Sequence, residues 1–254
     1  MEILVLVLVL ALAAANGAND VPKGVATLSA AGVAKIRTAV LWGTITTAIG
    51  CLVSLTFAAK MTALFSKGIV SAAPTAPFAA AVLIGTSAWV ALATVRKLPV
   101  STTHALVGSL LGAGVLFSSS TVQWSVLLAK VVVPLLLSVA VAYTVSFILG
   151  TVGRAITARV LARQTAAASA KEPGDPSGSH DEGGAVVTTA AEIEPEQAKR
   201  SPVTALHWVT SGFTSFARGM NDAPKIVAIG SFALVGGMTV TTLLFAVTVV
   251  MAIG

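Results

Sequence analysis

The chain carries "GANDVPKGVA" at residues 17–26 and, 202 residues later, "GMNDAPKIVA" at 219–228. The two stretches share Gly, Asn, Asp, Pro, Lys and a closing Ala in register, and Ala15 matches Ala217 just upstream. Each lies against a long apolar run. A carboxylate in such a run is costly in lipid and is read by default as functional. The repeat therefore reads as one device used twice.

The rest of the chain supplies the setting. Of 254 residues, 56% are hydrophobic and 10% charged, which is far from soluble-globular usage and marks an integral membrane protein. A spanning helix needs roughly 20 apolar residues. Runs at 38–59, 76–95 and 126–150 meet that length, with Lys130 placed to snorkel. Seven of the ten acids, Glu172, Asp175, Asp181, Glu182, Glu192, Glu194 and Glu196, lie in the Ala-, Ser-, Gly- and Pro-rich stretch 151–204. That stretch could not bury a core and reads as a hydrophilic linker. With Glu2 at the terminus, Asp20 and Asp222 are the only carboxylates in the membrane portion.

The net charge of +6 comes from bases scattered between apolar runs, without the basic and aromatic face that a nucleic-acid binder needs. No nucleic-acid partner is expected. The single cysteine, Cys51, excludes an intramolecular disulfide or a multi-cysteine metal site and is read as a packing residue. The opening "MEILVLVLVLALAAANGA" has an apolar core and an "ALAAA" that resemble a secretory signal, but its only early charge is Glu2, whereas a signal starts basic. Residues 3–15 are read instead as half of a membrane helix.

Orientation follows from Arg154, Arg159, Arg163, Lys171, Lys199 and Arg200, which place the linker in the cytoplasm. Counting back, 126–150 runs inward from an uncharged outer loop at 118–125, and 98–117 crosses outward from Arg96 and Lys97. Residues 76–95 then enter, 38–59 exit and 3–34 enter. On this count the first motif is traversed inward and the second outward; if 98–117 is a re-entrant hairpin rather than a span, the parity changes and the inversion must be argued afresh. Inverted repeats with interrupted helices meeting at the midplane are the architecture of secondary transporters. The expected fold is an all-α polytopic membrane protein with inverted repeats and broken or re-entrant helices. Its parts are a first repeat at 1–150, a cytoplasmic linker at 151–204 and the start of a second repeat at 205–254.

Gly17, Pro22 and Gly24 predict a break near residues 16–20, with a second half-helix beginning there. Freed carbonyls, the Asn19 amide and the Asp20 carboxylate are hard oxygen ligands suited to sodium, or Asp20 carries a proton; Asn221 and Asp222 repeat the set. The alternative is that these side chains only cap a half-helix, with Lys23 neutralising Asp20 at i+3. Lys23 and Lys225 draw in an anion, hold their aspartates or snorkel. In "RKLPVSTTHALVGSLLGAG" at 96–114, Pro99 breaks the chain and Ser101, Thr102 and Thr103 open an apolar helix. Hydroxyls beside unpaired N–H groups at a helix start suit a tetrahedral oxyanion, and equally suit an ordinary cap. His104 reads as a packed or interface residue, and Gly108 and Gly112 as a GxxxG helix contact.

Together "GANDVPKGVATL" at 17–28, "KLPVSTTHALVG" at 97–108 and "FARGMNDAPKIVA" at 216–228 resemble the inorganic phosphate transporter (PiT) family of sodium- or proton-coupled phosphate permeases. The likeness covers nearly the whole chain and keeps the family's motif order. It implies phosphate held near the membrane centre by Ser101, Thr102 and Thr103, with the coupling ion held by Asn19, Asp20, Asn221 and Asp222. The implied activity is import of inorganic phosphate across the plasma membrane by symport, with no organic cofactor and a homodimeric assembly. A permease for sulfate or arsenate, or a passive anion channel, are the alternatives. No enzyme is expected, since there is no metal-ligand spacing, nucleotide-binding glycine loop or nucleophile–base pair. Many relatives follow Asn-Asp with Ala-Asn where this chain has Pro-Lys, which leaves the coupling ion open. The second repeat's own Ser-Thr-Thr would fall near position 304, beyond Gly254, so a longer parent chain is expected.

Overall fold

A computed structural model describes residues 1–56, 60, 63–71, 75–117, 122–169, 202–234 and 237–254. The core of the linker, 170–201, and positions 118–121 of the outer loop lie outside the described residues. The helices are α1 (Glu2–Ala30), α2 (Ile36–Val53), α3 (Ala76–Val95), α4 (Thr102–Phe117), α5 (Val133–Ser169), α6 (Pro202–Gly230) and α7 (Val240–Ile253). The one β-type pairing among the described residues is a single bridge, Val70 with Val122. Four stretches are long and apolar enough to cross a bilayer: Glu2–Ala30, Ile36–Thr56, Ala76–Val95 and Trp124–Val160. α6 has the length but carries Arg218, Asp222 and Lys225. The all-α membrane architecture stands.

The chain forms two compact units, Met1–Trp124 with Ile193–Gly254, and Ser125–Glu192. The second consists of α5 with the helical turns that lead into it, and α5 continues helical to Ser169, well past the expected linker boundary at 151.

The first unit is built around α1 and α6, which run antiparallel. Val9 meets Gly230, Asp20 meets Arg218, the Ser211 hydroxyl donates to the Gly24 carbonyl, and Thr27 meets His207. Descending numbers on one helix thus pair with ascending numbers on the other. The expected break at 16–20 is corrected by this structure: α1 and α6 are each continuous over 29 residues, with Pro22 and Pro224 inside them. A proline removes one N–H and with it one i to i−4 bond, a local loss that tertiary packing offsets. The motif glycines serve close packing and do not break the chain. A Cβ on Gly17 would lie 2.2 Å from the Met251 carbonyl oxygen on α7, and one on Gly219 would lie 2.2 Å from the Thr47 carbonyl oxygen on α2. Only glycine permits such backbone approach. The contact is reciprocated one turn away, where Gly50 faces the Phe216 carbonyl and Gly254 faces that of Ala14.

α3 and α4 form a hairpin. α3 ends with Lys97 at φ 57° and the Leu98 N–H donating to the Ala93 carbonyl, a left-handed cap that turns the chain. Pro99 keeps the next residues extended. At the open end Phe78 and Phe117 pack edge to face at 5.4 Å. The tip, 96–101, lies beside the middle of α1: Asn19 donates to the Leu98 carbonyl and accepts from the Val100 N–H. α4 has 16 residues and starts at Thr102, which bonds Asn16 halfway along α1, so it runs back beside α3 from the level of the α1 midpoint, as the re-entrant alternative for 98–117 expects. Gly108 and Gly112 have nothing within 4 Å of a built Cβ among the described residues, so the GxxxG stretch makes no helix contact there. Cys51 is buried, its sulfur 4.0 Å from that of Met251.

Candidate functional site

A cavity of about 760 Å³ opens where the hairpin tip meets the two motif helices. Asp20 and Lys23 line it from α1, Ser101, Thr102 and Thr103 from the start of α4, and Arg218, Asn221 and Asp222 from α6. Residues more than 200 positions apart in sequence share one space because α1 and α6 cross it in opposite senses. Both motif aspartates line it, with Asn221 beside Asp222.

The first copy is tightly bonded. The Lys23 ammonium donates to Asp20 at 2.6 Å, to the Val100 carbonyl at 2.7 Å and to the Asn19 amide oxygen. Asn19 also donates to Thr94 at 3.0 Å, so its side chain ties α1 to the hairpin and faces away from the main cavity. Arg218 reaches across from α6 to Asp20 at 3.2 Å. In the second copy, Lys225 lies 3.4 Å from Asp222 and donates to the Thr103 hydroxyl at 2.6 Å. Asn221 bonds Asp222 at 3.4 Å.

Each of the three hydroxyls has a separate local partner. Ser101 caps α4 by accepting from the His104 N–H at 3.3 Å, Thr102 donates to Asn16, and Thr103 accepts from Lys225. His104 lines a separate pocket with Gly85, Trp89 and Gly108. The arrangement brings all nine expected site residues into one neighbourhood, with Asn19 and Lys225 behind the cavity wall. Three contributors escaped the sequence reading: Arg218, Asn16 and Thr94. Arg218 was legible by the rule that singled out the aspartates, since it is a charge inside an apolar run. Asn16 and Thr94 carried no signal beyond polarity.

At their ordinary charges Lys23, Arg218 and Lys225 outweigh Asp20 and Asp222 by one, so the region favours an anion. Nδ2 of Asn16 and Nε of Arg218 are buried donors without a partner among the described residues. Hydroxyls, a guanidinium and the first N–H groups of α4 offer donors, while the carboxylates offer acceptors. An oxyanion that keeps a proton can use both kinds. No three His, Cys, Asp or Glu side chains converge as metal ligands among the described residues.

Residues 16–254 match the Phosphate transporter family. A Streptomyces halstedii protein named "Probable low-affinity inorganic phosphate transporter" is 46% identical over 66 residues, 24% of this chain and 30% of its own length. A Mycobacterium leprae protein of the same name is 29% identical over 165 residues, 64% of this chain and 39% of its own. A Pyrococcus furiosus protein named as a phosphate permease is 33% identical over 168 residues, 63% of this chain and 39% of its own. The chain thus spans about two fifths or less of the length of these curated relatives. No solved structure matches it. A match that begins at Asn16, one residue before the first motif copy, and takes in both copies and the hairpin places this chain in the phosphate transporter family, whose members are transporters and not enzymes.

Proposed function

We infer that these residues form the substrate site of a secondary transporter that imports inorganic phosphate across the plasma membrane, driven by a sodium or proton gradient. The observation that carries this reading is the cavity between the hairpin tip and the two motif helices, which joins donors, carboxylates and an excess of positive charge. Dihydrogen phosphate carries both acceptor oxygens and proton donors, so it suits a site with both partners. Sulfate has no proton to give Asp20 or Asp222 at neutral pH. Arsenate, chemically like phosphate, should compete, and sulfate should not.

The antiparallel helices and their exchanged glycine contacts support a pair of inverted repeats with a two-fold axis near the Asn-Asp pairs. On that reading the α3–α4 hairpin is re-entrant, and its tip delivers Ser101, Thr102 and Thr103 to the membrane centre from one side. The 170–201 segment is the cytoplasmic connection. Rocking of one repeat against the other would alternate access.

The test is phosphate uptake by the full-length protein in proteoliposomes, with a sodium gradient and then a proton gradient imposed, for wild type and Asp20→Asn. Uptake that follows one gradient and collapses in the variant is expected. Uptake that needs no gradient and survives Asp20→Asn would leave a passive anion pathway in place of a symporter.

A further inference from the structure

Sodium is the metal ion that the family resemblance offers, and the first Asn-Asp pair is where it would be sought. The residues there do not leave it room. Three oxygens from two parts of the chain, the Asn19 amide and Asp20 carboxylate oxygens on α1 and the Val100 carbonyl at the hairpin tip, converge on a single point. That point is the Lys23 nitrogen. An ammonium has three N–H donors, and here each has one oxygen. The lysine is four residues from Asn19 and three from Asp20, so one helical turn delivers the cation and two of its ligands together.

Arg218 reaches the same Asp20 oxygen, Oδ1, at 3.2 Å. A metal ion entering this cage would displace the Lys23 ammonium or sit as a third positive charge on one carboxylate. The remaining demand that sodium would meet, balancing the charge of a bound anion, is already met by the excess of fixed cations. The second copy has a looser version, in which the Lys225 ammonium meets Asp222 at 3.4 Å and Thr103 at 2.6 Å.

We propose that the Lys23 ammonium is a tethered substitute for a metal ion in the first motif, so that anion binding at the adjoining cavity requires no sodium. The cage itself stands on geometry; its consequence for phosphate rests on the transport reading above.

The experiment uses the full-length protein in detergent or nanodiscs, with sodium chloride exchanged for choline chloride at constant ionic strength. Two quantities are read, binding of labelled inorganic phosphate and the thermal unfolding midpoint without phosphate. Wild type should bind phosphate with affinity equal within about twofold in the two salts, and its midpoint should not rise with sodium. Lys23→Ala opens the cage, so its midpoint should rise saturably with sodium but not choline, and sodium should tighten its phosphate binding by about tenfold, a normal size for coupled sites. Lys23→Arg keeps a fixed cation and should stay indifferent to sodium. A saturable sodium response in wild type overturns the proposal, and so does a folded Lys23→Ala that gains none. If Lys23→Ala does not fold, wild type decides alone: indifference to sodium supports the proposal and response refutes it. If wild type binds no phosphate while Lys23→Ala gains the sodium-dependent midpoint, the transport reading fails and the cage survives.

Discussion

The two copies of Asn-Asp-x-Pro-Lys are nearly identical in sequence and differ in what holds them. In the first, Asn19 has partners for both ends of its amide and Lys23 has three acceptors, so the segment is bolted to the α3–α4 hairpin. In the second, Asn221 bonds its neighbour Asp222 alone among the described residues, and Lys225 reaches the hairpin through one hydroxyl. The same letters thus make one rigid copy and one lightly held copy. Position matters too: where the first copy has Asn16 before its glycine, the second has Arg218, and that arginine crosses to the first copy's aspartate. The asymmetry of the site comes from residues flanking the repeat.

The largest test of this difference is the pair Asp222→Asn and Asp20→Asn. Lys225 is only 4% exposed and Asp222 is its one carboxylate contact among the described residues, so Asp222→Asn strands a buried charge and should cost about 3–5 kcal/mol. Asp20→Asn leaves Lys23 with the Asn19 and Val100 oxygens, so the loss should be smaller, roughly 1–3 kcal/mol. Unfolding in detergent would compare them. Adding Lys225→Met to Asp222→Asn should recover part of the loss, whereas simple additivity would mean the pair does not interact.

Next come the glycines, where the copies should behave alike. Gly17→Ala and Gly219→Ala each drive a methyl to 2.2 Å from a backbone oxygen, and each should cost about 1–3 kcal/mol or more by overpacking. A loss at one position and none at the other would break the reciprocity of the α1–α7 and α6–α2 contacts. Gly108→Ala, with open space around it, should be neutral or gain up to about 1 kcal/mol from helix propensity.

The amides give a smaller and again unequal effect. Asn19→Ala removes bonds to Thr94, Leu98 and Val100 and should loosen the hairpin tip by about 1–3 kcal/mol, seen as faster hydrogen exchange at 96–101. Asn221→Ala should leave that exchange unchanged. A loss of about 1 kcal/mol is expected of Thr103→Val, which removes a single acceptor from Lys225.

Much of this was legible in the sequence. The isolation of Asp20 and Asp222 from every other carboxylate singled out the two residues that line one cavity, and Pro99 followed by Ser101, Thr102 and Thr103 marked the start of α4. Counting charges between apolar runs led to opposite directions for the two motifs, and α1 and α6 do run antiparallel. Helix continuity was not legible. Gly17 and Pro22 carry the local signature of a break, but the deciding fact is the carbonyl of Met251 lying against Gly17, a contact 234 positions away. The choice between a span and a re-entrant hairpin at 98–117 stayed open for a similar reason, because an apolar run of 16–20 residues has the same composition whether it crosses a bilayer or returns halfway. Its depth is fixed by the bonds from Asn16 and Asn19, which no periodicity records.

The central claim is that phosphate binds between the hairpin tip and both motif helices. The most direct measurement is a crystal structure of the full-length protein with arsenate, locating the arsenic by its anomalous scattering. The account predicts a peak in the cavity bounded by Asp20, Ser101, Thr102, Thr103, Arg218 and Asp222. A peak outside that cavity in a saturated crystal would contradict it.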